Sequence, residues 1–205
     1  MSRHVLVATC VAAGVAVATT AALRGDEPST DPVVVRVELD GATSAAEVST
    51  GFVVGPGRVV TVAHVLNPDR KLVVRSDNAA PRRARVLRED RRNDLALIGV
   101  PGLKAARYGR AGAGGARLLV RRAGRTTALP ATIRRQIRAT VRGPNWGPYR
   151  RAALELAAHV QLGDSGAPLV DADGDVAGIL FARASDGRGT AYAVSGSAFA
   201  ALMSR

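Results

Sequence analysis

Short apolar runs separated by turn residues make up most of the chain after residue 32, and this pattern limits the fold more than any other feature. Most runs are about four to eight residues long and rich in valine, which favours strands over helices. Aromatic residues make up only 3% of the chain, so the core must consist of Val, Leu, Ala and Ile. The sequence predicts an all-β fold with strands near 33–39, 50–54, 58–62, 71–75, 83–88, 95–100, 116–121, 127–141, 153–160, 167–171, 175–183 and 190–194.

The predicted strands fall into two sets of six, and six short strands are enough to close one small barrel. A stretch rich in glycine and alanine, from Gly109 to Gly115, is predicted to link the two sets. A C-terminal helix is expected from Ser195 to Ser204, with Ser195 or Ser197 as its cap. The predicted division is a leader at 1–24, a linker at 25–32, an N-terminal barrel at 33–108, and a C-terminal barrel with the terminal helix at 109–205.

The leader contains an uncharged stretch, residues 5–23, that follows Arg3. Nineteen uncharged residues fit either a cleaved signal peptide or a single short membrane anchor, and both would form an apolar helix. Residues 16–18 and 20–22 are candidate cleavage sites. Both interpretations place the rest of the chain outside the cytoplasm, either secreted or anchored to the cell membrane, and the remaining alternative is a buried core helix.

Cysteine content and charge narrow the class further. The only cysteine, Cys10, lies in the leader, so the rest of the chain can form no internal disulfide and must be stabilised by packing. The net charge is +12 and is carried mostly by scattered arginines. The aromatic residues that alternate with basic ones in nucleic-acid modules are missing, so no nucleic-acid partner is expected. Association with an anionic cell wall is left open, and most arginines are interpreted as solvated.

One candidate nucleophile stands in the stretch Gly163-Asp164-Ser165-Gly166, which precedes an apolar strand. A serine hydroxyl is a poor nucleophile, so it needs a base to take its proton and a backbone that aims it. Glycine at 163 permits a tight turn, and the amides of Gly163 and Ser165 can then form an oxyanion hole. The alternative for this stretch is a polar hairpin turn before a strand.

A serine nucleophile also needs a histidine base and an acid that orients it. His4 lies in the leader, whereas His64 follows a predicted strand, and Asp94 opens the apolar run at 95–98. The sequence therefore predicts a triad of His64, Asp94 and Ser165. The competing interpretation takes each residue singly, with His64 as a capping residue, Asp94 as a strand-edge acid and Ser165 as a turn residue.

Three blocks of the chain resemble the catalytic blocks of trypsin-like serine proteases, which have a chymotrypsin-like fold. They read Thr-x-Ala-His up to His64, Asp-Leu-Ala-Leu from Asp94, and Gly-Asp-Ser-Gly-x-Pro around Ser165, in the order typical of that fold. The stretch from Gly51 to Val65 is similar to the same block in HtrA-like bacterial proteases. Further stretches, at 133–140, 178–182 and 190–194, resemble an actinobacterial membrane-anchored periplasmic protease of acid resistance.

The resemblance covers about residues 33–195 and implies two perpendicular six-stranded β-barrels with the triad in the cleft between them. Residues 122–127 are similar to a segment of α-lytic protease and the streptogrisins, in which the first arginine pairs with the acid before the nucleophile. This likeness implies an ion pair between Arg122 and Asp164. Arg121 and Arg125 are the alternatives, because a slip of one residue in a strand exchanges its faces.

The resemblance also implies a specificity pocket walled by His159, Arg183 and Thr190. Such a pocket would favour an acidic or polar side chain at the cleaved position. If Arg183 points to solvent, the pocket would instead take small apolar residues. The acid-resistance family implies several membrane spans and a disulfide, and this sequence offers one candidate span and no disulfide, so its physiological role is not carried over.

The predicted function is an exported serine endopeptidase that acts on protein or peptide substrates and needs no metal or organic cofactor. An acidic run at 171–175 lacks the glycine and glutamate of a calcium loop and is expected to be a hairpin turn. The rival hypothesis is a catalytically silent protease-fold module that binds anionic cell-envelope partners through its arginines. The complete set of triad residues favours the enzyme.

Overall fold

The computed structural model describes residues 30–76, 79–104, 107–110, 115–143, 146–185 and 187–204. The predicted leader, and the predicted linker up to residue 29, lie outside these described residues. The N-terminal strands are β1 (Thr30–Pro32), β2 (Val34–Leu39), β3 (Val48–Gly55), β4 (Arg58–Val62), β5 (Leu72–Arg75), β6 (Arg82–Asp90) and β7 (Leu95–Gly99).

Strands β2 to β7 form a closed barrel in the order β2-β3-β4-β7-β6-β5. Successive side chains of a strand point to opposite faces, and the valine-rich runs use both. In β2, Val35 and Val37 pack inside the barrel, whereas Val34 belongs to a core shared with the second half of the chain. The first barrel predicted from the sequence is therefore present, with all six of its strands close to the expected positions.

The second half forms a seven-stranded sheet in the order β10-β9-β13-β14-β15-β12-β11. A separate short pair joins β1 to β8, antiparallel. The helix α1 (Gly196–Ser204) follows the last strand, and no helix in the described part of the chain has the length and apolarity needed to cross a membrane. The strands are β8 (Arg107–Arg110), β9 (Arg117–Arg122), β10 (Arg125–Pro130), β11 (Thr132–Gly143), β12 (Trp146–Ala157), β13 (Pro168–Val170), β14 (Val176–Arg183) and β15 (Thr190–Ser195).

Three details differ from the sequence-based expectation. The single strand expected at 127–141 is two strands, β10 and β11, which break at Ala131 and lie at opposite ends of the sheet order. Strand β12 begins at Trp146, well before the expected start at 153, and pairs along most of its length with β11. The end of the expected linker forms β1, and its partner β8 takes up the start of the expected 109–115 link, whose residues 111–114 lie outside the described residues.

A shared apolar core joins the two halves and positions the site. It contains Phe52, Val62 and Leu95 from the barrel and Phe181 and Tyr192 from the second sheet. Because β4 ends beside this core and β7 begins there, the turns next to these strands face the second sheet. The loop between β12 and β13 meets them there, since the main-chain N–H of Thr50 in β3 donates to the Ser165 carbonyl at 2.7 Å.

Candidate active site

His64 and Asp94 are joined by two hydrogen bonds at the end of β4. A 3₁₀ turn, Ala63–Val65, follows β4 and carries His64. The main-chain N–H of His64 donates to Asp94 Oδ1 at 2.8 Å, and the ring Nδ1 lies 2.7 Å from Asp94 Oδ2. Because an ionised carboxylate only accepts hydrogen bonds, Nδ1 carries the proton. The ring nitrogen left to take a proton from another group is Nε2.

Asp94 is held in place by the turn between β6 and β7. Its backbone has φ of +59°, a left-handed conformation that costs a non-glycine residue about 1–2 kcal/mol. The carbonyl of Asp94 accepts the N–H of Ala63 at 3.1 Å, which adds a third hydrogen bond to the two with His64. These bonds hold the turn in its strained form, and only 4% of Asp94 is exposed to solvent.

Opposing effects set the pKa of His64. Desolvation by the surrounding protein lowers this pKa, whereas the charge of Asp94 and its hydrogen bond raise it. The positive charge of Arg151 lowers it in turn, yet the net result is a pKa above the ordinary histidine value. The outer part of the side chain still reaches solvent, since 38% of it is exposed. A substrate can therefore approach the ring.

Ser165 lies in the loop between β12 and β13, which is pinned to its surroundings by backbone hydrogen bonds. Thr50 donates to the Ser165 carbonyl from one side, and the N–H of Gly166 donates to Leu180 O at 2.7 Å from the other. The N–H of Ala167 closes a turn onto Asp164 O at 3.0 Å. The loop is thus fixed to both the barrel and the second sheet, and Ser165 remains partly exposed.

Glycine is required on both sides of the serine. Gly163 has φ of +93° and Gly166 has φ of +88°, which are conformations that side chains rarely allow. At Gly166 a Cβ would also lie 1.9 Å from the carbonyl oxygen of Thr50 and 2.9 Å from Thr61 Oγ1. Since Thr61 stands three residues before His64, this close approach brings the serine loop to the strand that leads into the histidine.

The amides of Gly163 and Ser165 make no hydrogen bond to any other described residue, so they remain available as the predicted oxyanion-hole donors. Within the described residues, His64 forms two hydrogen bonds, both to Asp94, and none to the Ser165 hydroxyl. Such bonds are often long in an unliganded enzyme and tighten when substrate binds. The structure thus brings all the predicted triad residues to one junction of the two halves.

Arg122 and Asp164 form an ion pair behind the serine loop. Arg122 Nε donates to Asp164 Oδ1 at 3.0 Å, and Nη2 donates to Oδ2 at 2.5 Å. Asp164 is only 1% exposed and also accepts the N–H of Gln161 at 2.8 Å. The hydrogen bond to Asp164, which outweighs the opposing effect of burial, raises the pKa of Arg122. The carboxylate therefore has a resident cationic partner.

The two alternative arginines point elsewhere. The guanidinium of Arg121 donates to the Gly124 carbonyl at 2.6 Å and to Thr126 Oγ1 at 3.4 Å, within its own hairpin. Arg125 is exposed at the end of that hairpin. The register expected from the sequence, with Arg122 facing the acid, is the one that the structure shows.

The three residues expected to wall the specificity pocket also come together. His159, Arg183 and Thr190 line a small cavity of about 60 Å³. Gly189 belongs to the same wall, because a Cβ there would lie 2.8 Å from the His159 ring. Their role in substrate binding stays a prediction, as do the catalytic roles of the triad.

Two residues near the site were missed by the sequence reasoning. Thr50 Oγ1 donates to Gly163 O at 3.1 Å and accepts the N–H of Arg121 at 3.2 Å, and nothing in the sequence pointed to this long-range contact. Most arginines were expected to be solvated, and Arg151 is an exception, because its side chain is fully buried beside Asp94. The only available signal was its place two residues before buried Ala153, on the same face of β12.

The sequence profile of the trypsin-like peptidase domain matches residues 49–179, a range that contains all three triad residues. The serine proteases Rv3671c and MT3772 of Mycobacterium tuberculosis are each 34% identical to this chain over 178 residues. These matches cover 82% of this chain and 44% of each relative, so the chain spans less than half the length of the curated relatives it matches. The HtrA-like resemblance stays a prediction.

Crystal structures of Rv3671c from M. tuberculosis share this fold. The active form matches with a TM-score of 0.69 at 29% identity, over 94% of this chain and 93% of that one. An inactive form matches with a TM-score of 0.66 at 32% identity, over 85% of this chain and 89% of that one. Together with the closed barrel and the second sheet, these similarities confirm the predicted all-β, chymotrypsin-like fold. The chain belongs to the trypsin-like peptidase domain family.

Proposed function

We propose that this chain is an exported serine endopeptidase that hydrolyses peptide bonds through Ser165, His64 and Asp94 by way of an acyl-enzyme. The observation that carries the proposal is the double hydrogen bond by which Asp94 holds the backbone and the ring of His64. These two hydrogen bonds fix the His64 tautomer in which Nε2 can act as a base. The pinned loop that presents Ser165 between two glycines supports the same conclusion.

The reaction begins when Ser165 Oγ attacks the scissile carbonyl carbon and passes its proton to His64 Nε2. The amides of Gly163 and Ser165 stabilise the negative oxygen of the tetrahedral intermediate. His64 then gives the proton to the leaving amine, and the acyl group remains on Ser165. A water molecule, deprotonated by the same histidine, releases the acid and restores the serine. Asp94 stays ionised throughout and stabilises the imidazolium that forms twice in each cycle.

A fluorophosphonate probe tests the nucleophile directly. We expect one label per chain, located on Ser165 by mass spectrometry, and hydrolysis of casein by the same preparation. Ser165→Ala and His64→Ala should lower turnover by a factor on the order of 10⁶, as triad losses do in other serine proteases. Ser197→Ala, an exposed serine on α1, is the matched control and should keep both label and activity. An acyl-enzyme predicts a burst of p-nitrophenol from an ester substrate.

The rival function, a catalytically silent module that binds anionic cell-envelope partners, predicts a folded protein that takes no label. Nothing in the geometry of the site favours it, since each triad residue is present and His64 is oriented for catalysis. If the folded wild-type protein took no label and cleaved neither casein nor an ester, the silent module would become the better hypothesis.

Export is proposed on the leader alone, since residues 5–23 are uncharged and follow Arg3. The same proposal includes protein or peptide substrates outside the cytoplasm, a single membrane anchor and contact with an anionic cell wall. Fusing residues 1–32 to a reporter that is active only outside the cytoplasm tests it. An active reporter is expected, and its release or retention distinguishes a cleaved signal peptide from an anchor. An inactive reporter would refute export by this segment.

A further inference from the structure

Arg151 lies beside Asp94, the proposed catalytic acid. Its side chain is 0% exposed, and its Nη1 atom is 3.8 Å from Asp94 Oδ2. The guanidinium carbon lies 4.9 Å from the centroid of the Phe181 ring, a cation–π contact. None of the three guanidinium nitrogens makes a hydrogen bond within the described residues. Such an unsatisfied cation in a core calls for a physical explanation.

The strand β12 places the arginine in the core by simple alternation. Arg151 pairs in register with Ala139 of β11, and Ala153 lies two residues further on the same face. Both alanines are buried, and their small side chains leave room beside the guanidinium. The neighbours Arg150 and Ala152 point outward and are exposed. A long cationic side chain is therefore enclosed where most proteins place an apolar one.

The charges around Arg151 show what compensates its burial. Burial lowers the pKa of the guanidinium, and the charges of Asp94 and Asp90 oppose this effect. Ala139 and the Phe181 ring are uncharged neighbours of Arg151. The charged residues that line one cavity with Arg151 are Asp90, Arg92, Arg138 and Arg150. Arginine keeps its proton in proteins, so the buried group is a cation. Its main compensation is thus the carboxylate that also orients the catalytic histidine.

Asp94 Oδ2 faces two partners at once. His64 Nδ1 lies 2.7 Å from this oxygen, and Arg151 Nη1 lies 3.8 Å from it. The arginine attracts this carboxylate, as a neighbouring opposite charge does. It also disfavours the protonated form of His64, because the two cations repel each other. Among the described residues, the charge of Asp94 raises the pKa of His64 and the charge of Arg151 lowers it.

We propose that Arg151 is a positioning residue that holds Asp94 toward His64, and that its charge extends the activity of the enzyme to lower pH. This inference rests on the proposed function, in which neutral His64 is the base. Without the arginine, the attraction of Asp94 would act alone, and the His64 ring would keep its proton up to a higher pH. With the arginine present, the His64 ring therefore becomes neutral at a lower pH.

Arg151→Met removes the charge and keeps an unbranched apolar side chain, and Arg151→Gln is a second neutral variant. We expect the ratio of kcat/KM at pH 8 to that at pH 6 to rise at least about threefold in either variant, because removal of a nearby like charge favours the imidazolium. Arg151→Lys keeps the charge and should give a ratio close to that of the wild type. Arg150→Met, an exposed arginine on the same strand, is the matched control and should leave the ratio unchanged.

A second measurement separates this idea from the proposed function. In the Ser165→Ala background, an NMR titration of the His64 ring reports its protonation without any catalysis. The titration should move to higher pH with Arg151→Met or Arg151→Gln and stay in place with Arg151→Lys. A folded neutral variant that loses activity equally at every pH, with an unmoved His64 titration, would reduce Arg151 to a structural role. An inactive, unlabelled wild type would instead overturn the proposed function and leave the titration interpretable.

Discussion

Arg122 and Asp164 form a two-point ion pair next to Ser165, the proposed nucleophile, with contacts of 3.0 and 2.5 Å. Asp164 precedes Ser165 in the chain, and its third contact is to the N–H of Gln161 in the same loop. The pair therefore ties the loop that presents Ser165 and Gly163 to strand β9. We expect this arginine to hold the loop in place without any cleavage of the chain.

Arg122→Met should leave Asp164 buried without a cation. Breaking a buried pair by removing one partner typically costs about 3–5 kcal/mol, and we expect the lower end, because about a quarter of Arg122 is exposed. Turnover of the remaining folded enzyme should also fall, since the amides of Gly163 and Ser165 lose their fixed orientation. Urea unfolding and kcat measured on the same preparation give the two values.

Arg121→Met is the matched control for that experiment. Its guanidinium donates to the Gly124 carbonyl and to Thr126 Oγ1 within its own hairpin, so the substitution should lower stability without a comparable loss of turnover. Full activity in a folded Arg122→Met enzyme would show that the ion pair does not support the oxyanion hole. An enzyme that became active only after removal of N-terminal residues would show the same.

Thr50→Val should weaken the serine loop from the barrel side. The hydroxyl of Thr50 donates to Gly163 O and accepts from the Arg121 N–H, and both groups would lose their partner. Unsatisfied buried groups cost about 1–3 kcal/mol each. We expect kcat to fall more than KM changes, because the substrate pocket is untouched. Thr50→Ser keeps the hydroxyl and should restore the rate, and a Thr50→Val enzyme with normal kcat would argue against this role.

The sequence was sufficient for features that depend on local patterning. Strand β4 runs from Arg58 to Val62 as expected, because valines between a Gly-Pro-Gly turn and an Ala-His pair leave few alternatives. The residues of the predicted triad could be found because each stands in a loop or turn next to an apolar strand. Only the family resemblance indicated that Arg122 pairs with Asp164, because composition does not distinguish Arg121 from Arg122.

The features that escaped prediction depend on contacts between distant segments. Arg151 and Arg150 are identical in sequence terms, and only the pairing of β12 with β11 turns one of them into the core. The N-terminal half of β12 contains glycine, proline and arginine, which indicate a loop, yet the long hairpin with β11 supplies the pairing that overrides this preference. Thr50 joins the site through bonds across more than a hundred residues of sequence, which no local pattern can signal.

Glu38 should make the stability of the barrel depend on pH in the acid range. Burial raises the pKa of this carboxyl, but hydrogen bonds from Arg75 and Arg36 lower it and prevail. Because the folded pKa is depressed, the stabilisation is present above the ordinary value of 4.5 and is lost as pH falls through the folded value. Both arginines are about half exposed, so we expect roughly 1 kcal/mol.

Urea unfolding of the wild type and of Glu38→Gln at pH 7 and at pH 3 measures this contribution. The variant should be less stable than the wild type at pH 7, and the difference should shrink at pH 3. Asp69→Asn, which removes a carboxylate from an exposed turn, controls for net charge. An equal difference at both pH values would show that Glu38 acts through packing and not through its charge.

The pH dependence of activity should follow His64. Desolvation lowers its pKa, the charge and hydrogen bond of Asp94 raise it, and the net pKa lies above the ordinary value of 6.5. Since the base must be neutral, kcat/KM should fall as pH drops, with a midpoint above 6.5. Asp94→Asn should lower kcat about 10⁴-fold, as in the chymotrypsin-type case, because the wrong tautomer is held. A profile that stays flat into strongly acidic conditions would exclude His64 as the base.

Substrate preference should follow the cavity that His159, Arg183 and Thr190 line. A histidine and an arginine at its wall favour an acidic or polar group. We expect a peptide library to show glutamate or aspartate at the cleaved position, with alanine tolerated.

Arg183→Gln should lower kcat/KM for the acidic substrate about tenfold or more, through loss of a charge-assisted hydrogen bond, and leave the alanine substrate unaffected. Arg125→Gln, on a remote hairpin, should change neither. A preference for lysine or arginine would contradict the electrostatic interpretation, and equal losses for both substrates would indicate that Arg183 shapes the cavity and does not bind the side chain.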